Sequence, residues 1–305
     1  MLQQNIKHIG VIGTGVIGAS WVTYFLSKGF EVTATDPAPD AENMLRKSIL
    51  ANDPSIPLNL LYFENDMEKA VRNVQFVQEN GPERLDIKQE LFKQLDTFTD
   101  PSVLLVSSSS SLMPTEFQAG AKHPERILLG HPFNPPHLIP LVEVCGGKAT
   151  SEDAIQQAIA FYQSIGKKPI RLRKEIPGHI ANRLQAALWQ EAFYLVQQGV
   201  ASAEDIDLAV SEGPGLRWAL LGPFLNLHLS GGQGGIRYFL EHLGQPFQAL
   251  MDDLGKIEIN EELIAILSNE NSATLEGKDL QQIVLERNQI LLKLMDIKNK
   301  TINLP

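Results

Sequence analysis

The feature that most constrains this chain lies near its start. A short apolar run, Ile6–Ile12, leads straight into Gly13-Thr14-Gly15-Val16-Ile17-Gly18. The next segment, Val16–Lys28, reads as a helix that stops at Gly29, a residue suited to closing a helix. A β-rich stretch, Glu31–Thr35, follows and ends at Asp36, eighteen residues after Gly18. Strand, G-x-G-x-x-G, helix, strand and acidic residue together predict a βαβ dinucleotide-binding unit. Gly13 permits the tight turn, Gly15 lets the backbone approach a pyrophosphate, and Gly18 lets helix and strand pack closely. The helix opening at Val16 and Ile17 offers free N–H groups to the phosphates. The Asp36 carboxylate can accept from ribose hydroxyls and would repel a 2′-phosphate, so NAD is the expected cofactor.

The alternation continues through the first half. Leu60–Phe63, Phe76–Gln78, Val103–Val106, Ile127–Gly130 and Leu141–Val144 read as strands. Ala41–Leu50, a segment capped by Asp66, and Asp86–Phe98 read as helices. Such alternation predicts a doubly wound, Rossmann-type parallel sheet covered on both faces. After Lys174 the pattern turns helical: Ile180–Gln198, Ser202–Ser211, Leu220–Leu229, Gly235–Leu243, Glu261–Leu267 and Leu280–Asn299. The expected organisation is an α/β NAD-binding domain over 1–176 and an all-α domain over 177–305 that binds substrate and dimerises.

Composition narrows the function classes. A chain of 305 residues exceeds one ordinary domain. A net charge of −10 argues against nucleic acid and against an anionic membrane surface. Cys145 is the single cysteine, so no internal disulfide can form; beside the apolar run Leu141–Val144 it reads as a buried, inert thiol. No stretch approaches the ~18 apolar residues of a membrane span. Met1–Asn5 resembles neither a signal nor a transit peptide, so a cytoplasmic location is expected. No residue is assigned to a metal.

Oxidising an alcohol with a nicotinamide cofactor requires a base for the hydroxyl proton, and imidazole suits that task near neutrality. Of seven histidines, His131 stands out. It ends a predicted strand at the carboxyl edge of the sheet, where ligands bind. Glu143, inside Leu-Val-Glu-Val, is a carboxylate in apolar surroundings and needs a partner. Trp21, in the helix after the glycine loop, reads as core.

The stretch Gly130-His131-Pro132-Phe133-Asn134-Pro135-Pro136 with Leu141-Val142-Glu143-Val144, and Pro177-Gly178-His179-Ile180-Ala181-Asn182-Arg183-Leu184, resembles the signature of the 3-hydroxyacyl-CoA dehydrogenase family. With the glycine motif and the run Ser107–Ser111, the resemblance spans nearly the whole chain. It implies that His131 is the base and Glu143 its holder. It implies that Ser110 and Asn182 contact the substrate or its oxyanion, and that Glu83, Lys88 and Asn134 lie near the cofactor. It also implies a homodimer formed through the helical domain. The chain departs from the acyl-CoA enzymes at Gly213-Pro214-Gly215-Leu216-Arg217-Trp218, where Arg217-Trp218 replaces a Pro-Met pair, and at His228, which falls near the usual aspartate. That departure resembles two small-substrate branches, one acting on L-carnitine and one, which includes λ-crystallin, on L-gulonate. The first is the closer. L-Carnitine carries a trimethylammonium group that aromatic faces bind. Trp189 lies seven residues after Asn182 on one expected helix, hence on the same face. Trp189, Trp218 and Phe133 are candidate aromatic contacts, and Arg217 a candidate partner for the carboxylate. L-gulonate or 3-hydroxyacyl-CoA oxidation, and a non-catalytic crystallin-like NAD-binding role, are the alternatives.

Overall fold

The computed structural model describes residues 6–302. The expectation for Met1–Asn5 lies outside the described residues. Two compact units divide at Arg183 and Leu184.

The first unit is built on one eight-stranded sheet. Its strands are β1 (His8–Ile12), β2 (Glu31–Thr35), β3 (Leu61–Phe63), β4 (Phe76–Glu79), β5 (Leu104–Ser107), β6 (Ile127–Pro132), β7 (Leu141–Gly146) and β8 (Lys168–Arg171). Its helices are α1 (Val16–Ser27), α2 (Ala41–Asn52), α3 (Met67–Val71), α4 (Leu85–Phe98), α5 (Pro114–Phe117) and α6 (Glu152–Ser164). The order is β3-β2-β1-β4-β5-β6-β7-β8. The chain winds outward from β1 to β3, then returns to β4 on the other side of β1. That reversal opens a crevice at the carboxyl ends of β1 and β4, the usual place for a dinucleotide.

Both faces of the sheet are covered. On one, Trp21 and Phe25 of α1 pack with Tyr162 of α6 and with Ile9, Val11 and Val106. On the other, Phe92 of α4 and Phe117 of α5 pack with Val77, Leu105 and Cys145. Trp21 and Cys145 are both buried, as the sequence suggests, and burial pushes the Cys145 thiol up to about 11, which removes it as a nucleophile at neutral pH.

One pairing differs from the all-parallel expectation. β6 and β7 run antiparallel. Only residues 133–140 separate them, and a parallel return needs a crossover of about a dozen residues or more. The antiparallel register sets His131 directly opposite Glu143. Three further elements, α5, α6 and β8, lie where no element is expected from the sequence. Ser151 caps α6 by accepting from the Ala154 N–H at 3.2 Å, and Glu152 and Asp153 occupy its first turn, where carboxylates favour the helix dipole.

α7 (Ala181–Gln197) contains the division between units. The second unit continues with α8 (Ala203–Ser211), α9 (Pro214–Trp218), α10 (Pro223–Ser230), α11 (Gly235–Asp253), α12 (Glu261–Thr274) and α13 (Leu280–Lys300). Ser202, Asn260 and Asp279 cap α8, α12 and α13 with their side chains. α11 runs through Pro246 and ends at Asp253, ten residues beyond the expected end at Leu243. Among the described residues of this unit, Val196 and Leu263 are the only buried large apolar side chains.

Candidate active site

The glycine loop joins β1 to α1 at the crevice. Gly13 adopts φ +82°, and a Cβ there would stand 2.7 Å from the Asn80 carbonyl. A Cβ on Gly18 would lie 1.9 Å from the Gly13 carbonyl oxygen. Both glycines are therefore required by the protein's own packing. Gly15 differs: nothing lies within 4 Å of a Cβ built on it. That open space is where a backbone-hugging pyrophosphate would sit. Gly15 also begins α1, whose N-terminus has no side-chain cap and no acidic residue in its first turn, leaving Val16 and Ile17 at a terminus suited to an anion. At the end of β2, Asp36 accepts from the Thr14 N–H at 2.7 Å and from the Ala38 N–H at 2.9 Å. Its carboxylate thus stands beside the glycine loop. The residues present fit NAD.

The second half of the crevice is a network of serines and charges. Glu79 ends β4 fully buried, and Lys88 of α4 reaches it with Nζ 2.8 and 2.9 Å from the two carboxylate oxygens. Ser107, ending β5, donates to Glu79 Oε2 at 2.6 Å. Glu83 gathers the Ser109 hydroxyl, the Ser111 N–H and the Ser111 hydroxyl at 2.6, 2.7 and 2.8 Å. Burial raises the Glu83 carboxyl, but these donors and the nearby Lys88 outweigh it and leave the net value low. Ser110 stays exposed at the tip of this pinned loop. Asn182, in the first turn of α7, donates from Nδ2 to the Ser110 carbonyl at 3.4 Å.

His131 and Glu143 form a buried hydrogen-bonded pair. His131 Nδ1 lies 2.9 Å from Glu143 Oε2. The other carboxylate oxygen accepts from the Ile180 and Ala181 N–H groups at 2.8 and 3.0 Å. Burial pushes the Glu143 carboxyl up, yet the His131 bond and the two backbone donors win and hold it below its ordinary value. A carboxylate on Nδ1 fixes the proton there, directs Nε2 outward as the acceptor, and stabilises the imidazolium once a proton arrives.

The structure brings Ser110, Asn182, His131 and Glu143 into one constellation within the first unit. Lys88 is 1% exposed and committed to Glu79, so it supports the serine loop from beneath. Phe133 is half-buried and Asn134 exposed in the loop after β6. Trp189 on α7 and Arg217 and Trp218 on α9 are exposed residues of the second unit. Glu79, Ser107 and His179 receive no role of their own from the sequence, although Ser107 opens the serine run and His179 lies in the Pro177–Leu184 stretch. Glu79 directly follows the expected strand Phe76–Gln78, and in the structure it is the last residue of β4. His179 carries its place in that signature stretch, directly after Gly178.

The sequence matches "3-hydroxyacyl-CoA dehydrogenase, NAD binding domain" over residues 8–176 and the C-terminal domain of the same family over residues 178–261. The chain belongs to the 3-hydroxyacyl-CoA dehydrogenase family. It is 42% identical to an L-carnitine dehydrogenase of Streptomyces coelicolor over 96% of this chain and 95% of that one. It is 41% identical to an L-carnitine dehydrogenase of Bacillus cereus over 98% and 95% of the two chains. Among solved structures, it resembles 5-formyl-3-hydroxy-2-methylpyridine 4-carboxylic acid 5-dehydrogenase, described as an NAD+ dependent dismutase. The TM-score is 0.81 and the identity 28%, over 97% of this chain and 100% of that one. The family member described here is thus an NAD-dependent hydroxyacid dehydrogenase with a Rossmann-type first domain.

Proposed function

We propose that this dehydrogenase oxidises the 3-hydroxyl of L-carnitine to give 3-dehydrocarnitine. The observation that carries the mechanism is the buried His131–Glu143 pair, with Glu143 held from behind by two backbone N–H groups. Bound NAD would supply the acceptor for the hydride that leaves the carbinol carbon. His131 Nε2 takes the hydroxyl proton, and Glu143 holds the resulting imidazolium. Ser110 and Asn182 position the substrate oxygen as negative charge develops on it. Gly13, Gly15, Val16, Ile17, Gly18 and Asp36 would hold the cofactor, with Glu83, Lys88 and Asn134 near it. Relatives named for L-carnitine support the substrate.

Residues 1–176 act as the NAD domain and 177–305 as the substrate and dimer domain. Trp189, Trp218 and Phe133 offer aromatic faces to the trimethylammonium, and Arg217 pairs with the carboxylate. The second unit exposes Leu184, Leu188, Phe224, Leu229 and Leu240. Apolar surface on this scale is covered in a homodimer; a monomer in light scattering would overturn that assignment.

The mechanism is tested by NADH formation from L-carnitine in the wild type, His131→Asn and Glu143→Gln. His131→Asn loses about 10²–10⁴-fold in kcat, the usual contribution of a positioned base, while NAD affinity is kept. A His131→Asn rate within a few-fold of wild type would overturn it.

A further inference from the structure

His179 lies beside the base and is 1% exposed. Its backbone has φ +54° and follows Gly178 at φ +75°. A side chain rarely adopts that conformation, and it persists only where the surroundings over-determine it. Three contacts do so here. The His179 ring packs on the His131 ring at 5.0 Å between centroids. Its Nε2 lies 3.0 Å from the Ser109 carbonyl oxygen; since a carbonyl only accepts, Nε2 carries the proton. The turn it makes delivers the Ile180 and Ala181 N–H groups to Glu143. One residue therefore touches the serine loop and the imidazole, and its turn presents the next two N–H groups to the carboxylate.

We propose that His179 is a positioning residue of the oxidation, tying the loop that carries Ser110 to the His131–Glu143 pair so that oxygen donor and base keep a fixed separation. Burial holds its own protonation below the ordinary range, against the pull of the Ser109 bond. It stays neutral, and no second cation stands beside the imidazolium when His131 takes a proton. The assignment rests on His131 as base and Ser110 as oxygen-positioning group.

The test compares His179→Leu, His179→Asn and His179→Gln. Gln places an amide N–H near the position of Nε2. Asn tolerates the left-handed backbone but is too short to reach Ser109, so it reports on the bond if Leu fails to fold. Rates are read on whichever of L-carnitine, L-gulonate and 3-hydroxybutyryl-CoA the wild type oxidises fastest. Leu and Asn lower kcat on the order of tenfold, the effect of losing one hydrogen bond to a buried group, with the NAD KM within about twofold. Gln recovers most of the loss. Ser110→Ala costs less in the His179→Leu background than alone, because the two act through one loop. Equal losses in all three variants, strict additivity with Ser110→Ala, or a loss confined to the NAD KM would each overturn the inference. His131→Asn runs in parallel: an active His131→Asn overturns the base itself. An inactive His131→Asn beside a fully active His179→Leu overturns the positioning role alone.

Discussion

Lys88 and Glu79 form an ion pair with both partners sealed from solvent, the ammonium 2.8 Å from Oε1 and 2.9 Å from Oε2. Each charge is tolerable there only because of the other. The Gly81 N–H and the Ser107 hydroxyl complete the carboxylate's shell at 2.6 Å each, which anchors the start of the serine loop. The resemblance places Lys88 near the cofactor, and the geometry makes its first duty structural.

Lys88→Met accordingly strands a buried carboxylate and costs about 3–5 kcal/mol. The first thermal transition drops by roughly 10 °C. Adding Glu79→Gln recovers part of the loss by removing the orphaned charge. Calorimetry on the three proteins checks this, and an unchanged transition in Lys88→Met would contradict the pairing.

The two loop glycines separate packing from cofactor binding. Gly18→Ala forces a Cβ to within 1.9 Å of the Gly13 carbonyl, so the loop must shift and stability falls. Gly15→Ala meets no protein atom within 4 Å. It leaves the melting temperature nearly unchanged while raising the NAD KM on the order of tenfold, because the methyl fills the space a pyrophosphate needs. A Gly15→Ala protein with normal NAD affinity would mean that the cofactor lies elsewhere.

Lys167 sets a pH dependence of stability. Its Nζ donates to the Pro136 and Ile139 carbonyls and lies 3.8 Å from the Tyr24 ring centroid and 5.0 Å from that of Trp21. Burial first, and then the nearby Lys28, lower its value from 10.5 to about 7. Between those values the unfolded chain binds more protons than the folded one, so this group's contribution rises with pH, by at most about 1.4 kcal/mol per unit. Cys145 and Tyr24, pushed up to about 11 and about 12, act in the opposite sense from about pH 9 upward. The window is therefore roughly pH 7–9. Urea unfolding shows stability rising there in the wild type and a flatter slope in Lys167→Met; equal slopes would contradict the assignment.

Much of this architecture is written in local pattern. The glycine motif, Asp36 and the β-rich runs locate the crevice because each reflects a backbone or packing demand felt within a few residues. His131 and Glu143 are legible for the same reason, as polar residues at a strand end and within an apolar strand. The antiparallel β6–β7 pair was also within reach, since residues 133–140 leave no room for a crossover. The role of His179 was not. It depends on a left-handed turn and on contacts to Ser109 and His131, 70 and 48 positions away in the chain, which no local periodicity encodes. The expected end at Leu243 falls short of Asp253 because the helix continues through Gly244 and Pro246, residue types that ordinarily weaken or break one.

The central claim is a His131-dependent oxidation of L-carnitine, and kcat/KM for NADH formation on L-carnitine, D-carnitine, L-gulonate and 3-hydroxybutyryl-CoA tests it most directly. The account predicts turnover on L-carnitine well above the other three, abolished in His131→Ala. Preference for L-gulonate or the acyl-CoA would contradict the substrate assignment and the roles given to Arg217 and Trp218, and NAD binding without turnover on any of the four would contradict the claim itself.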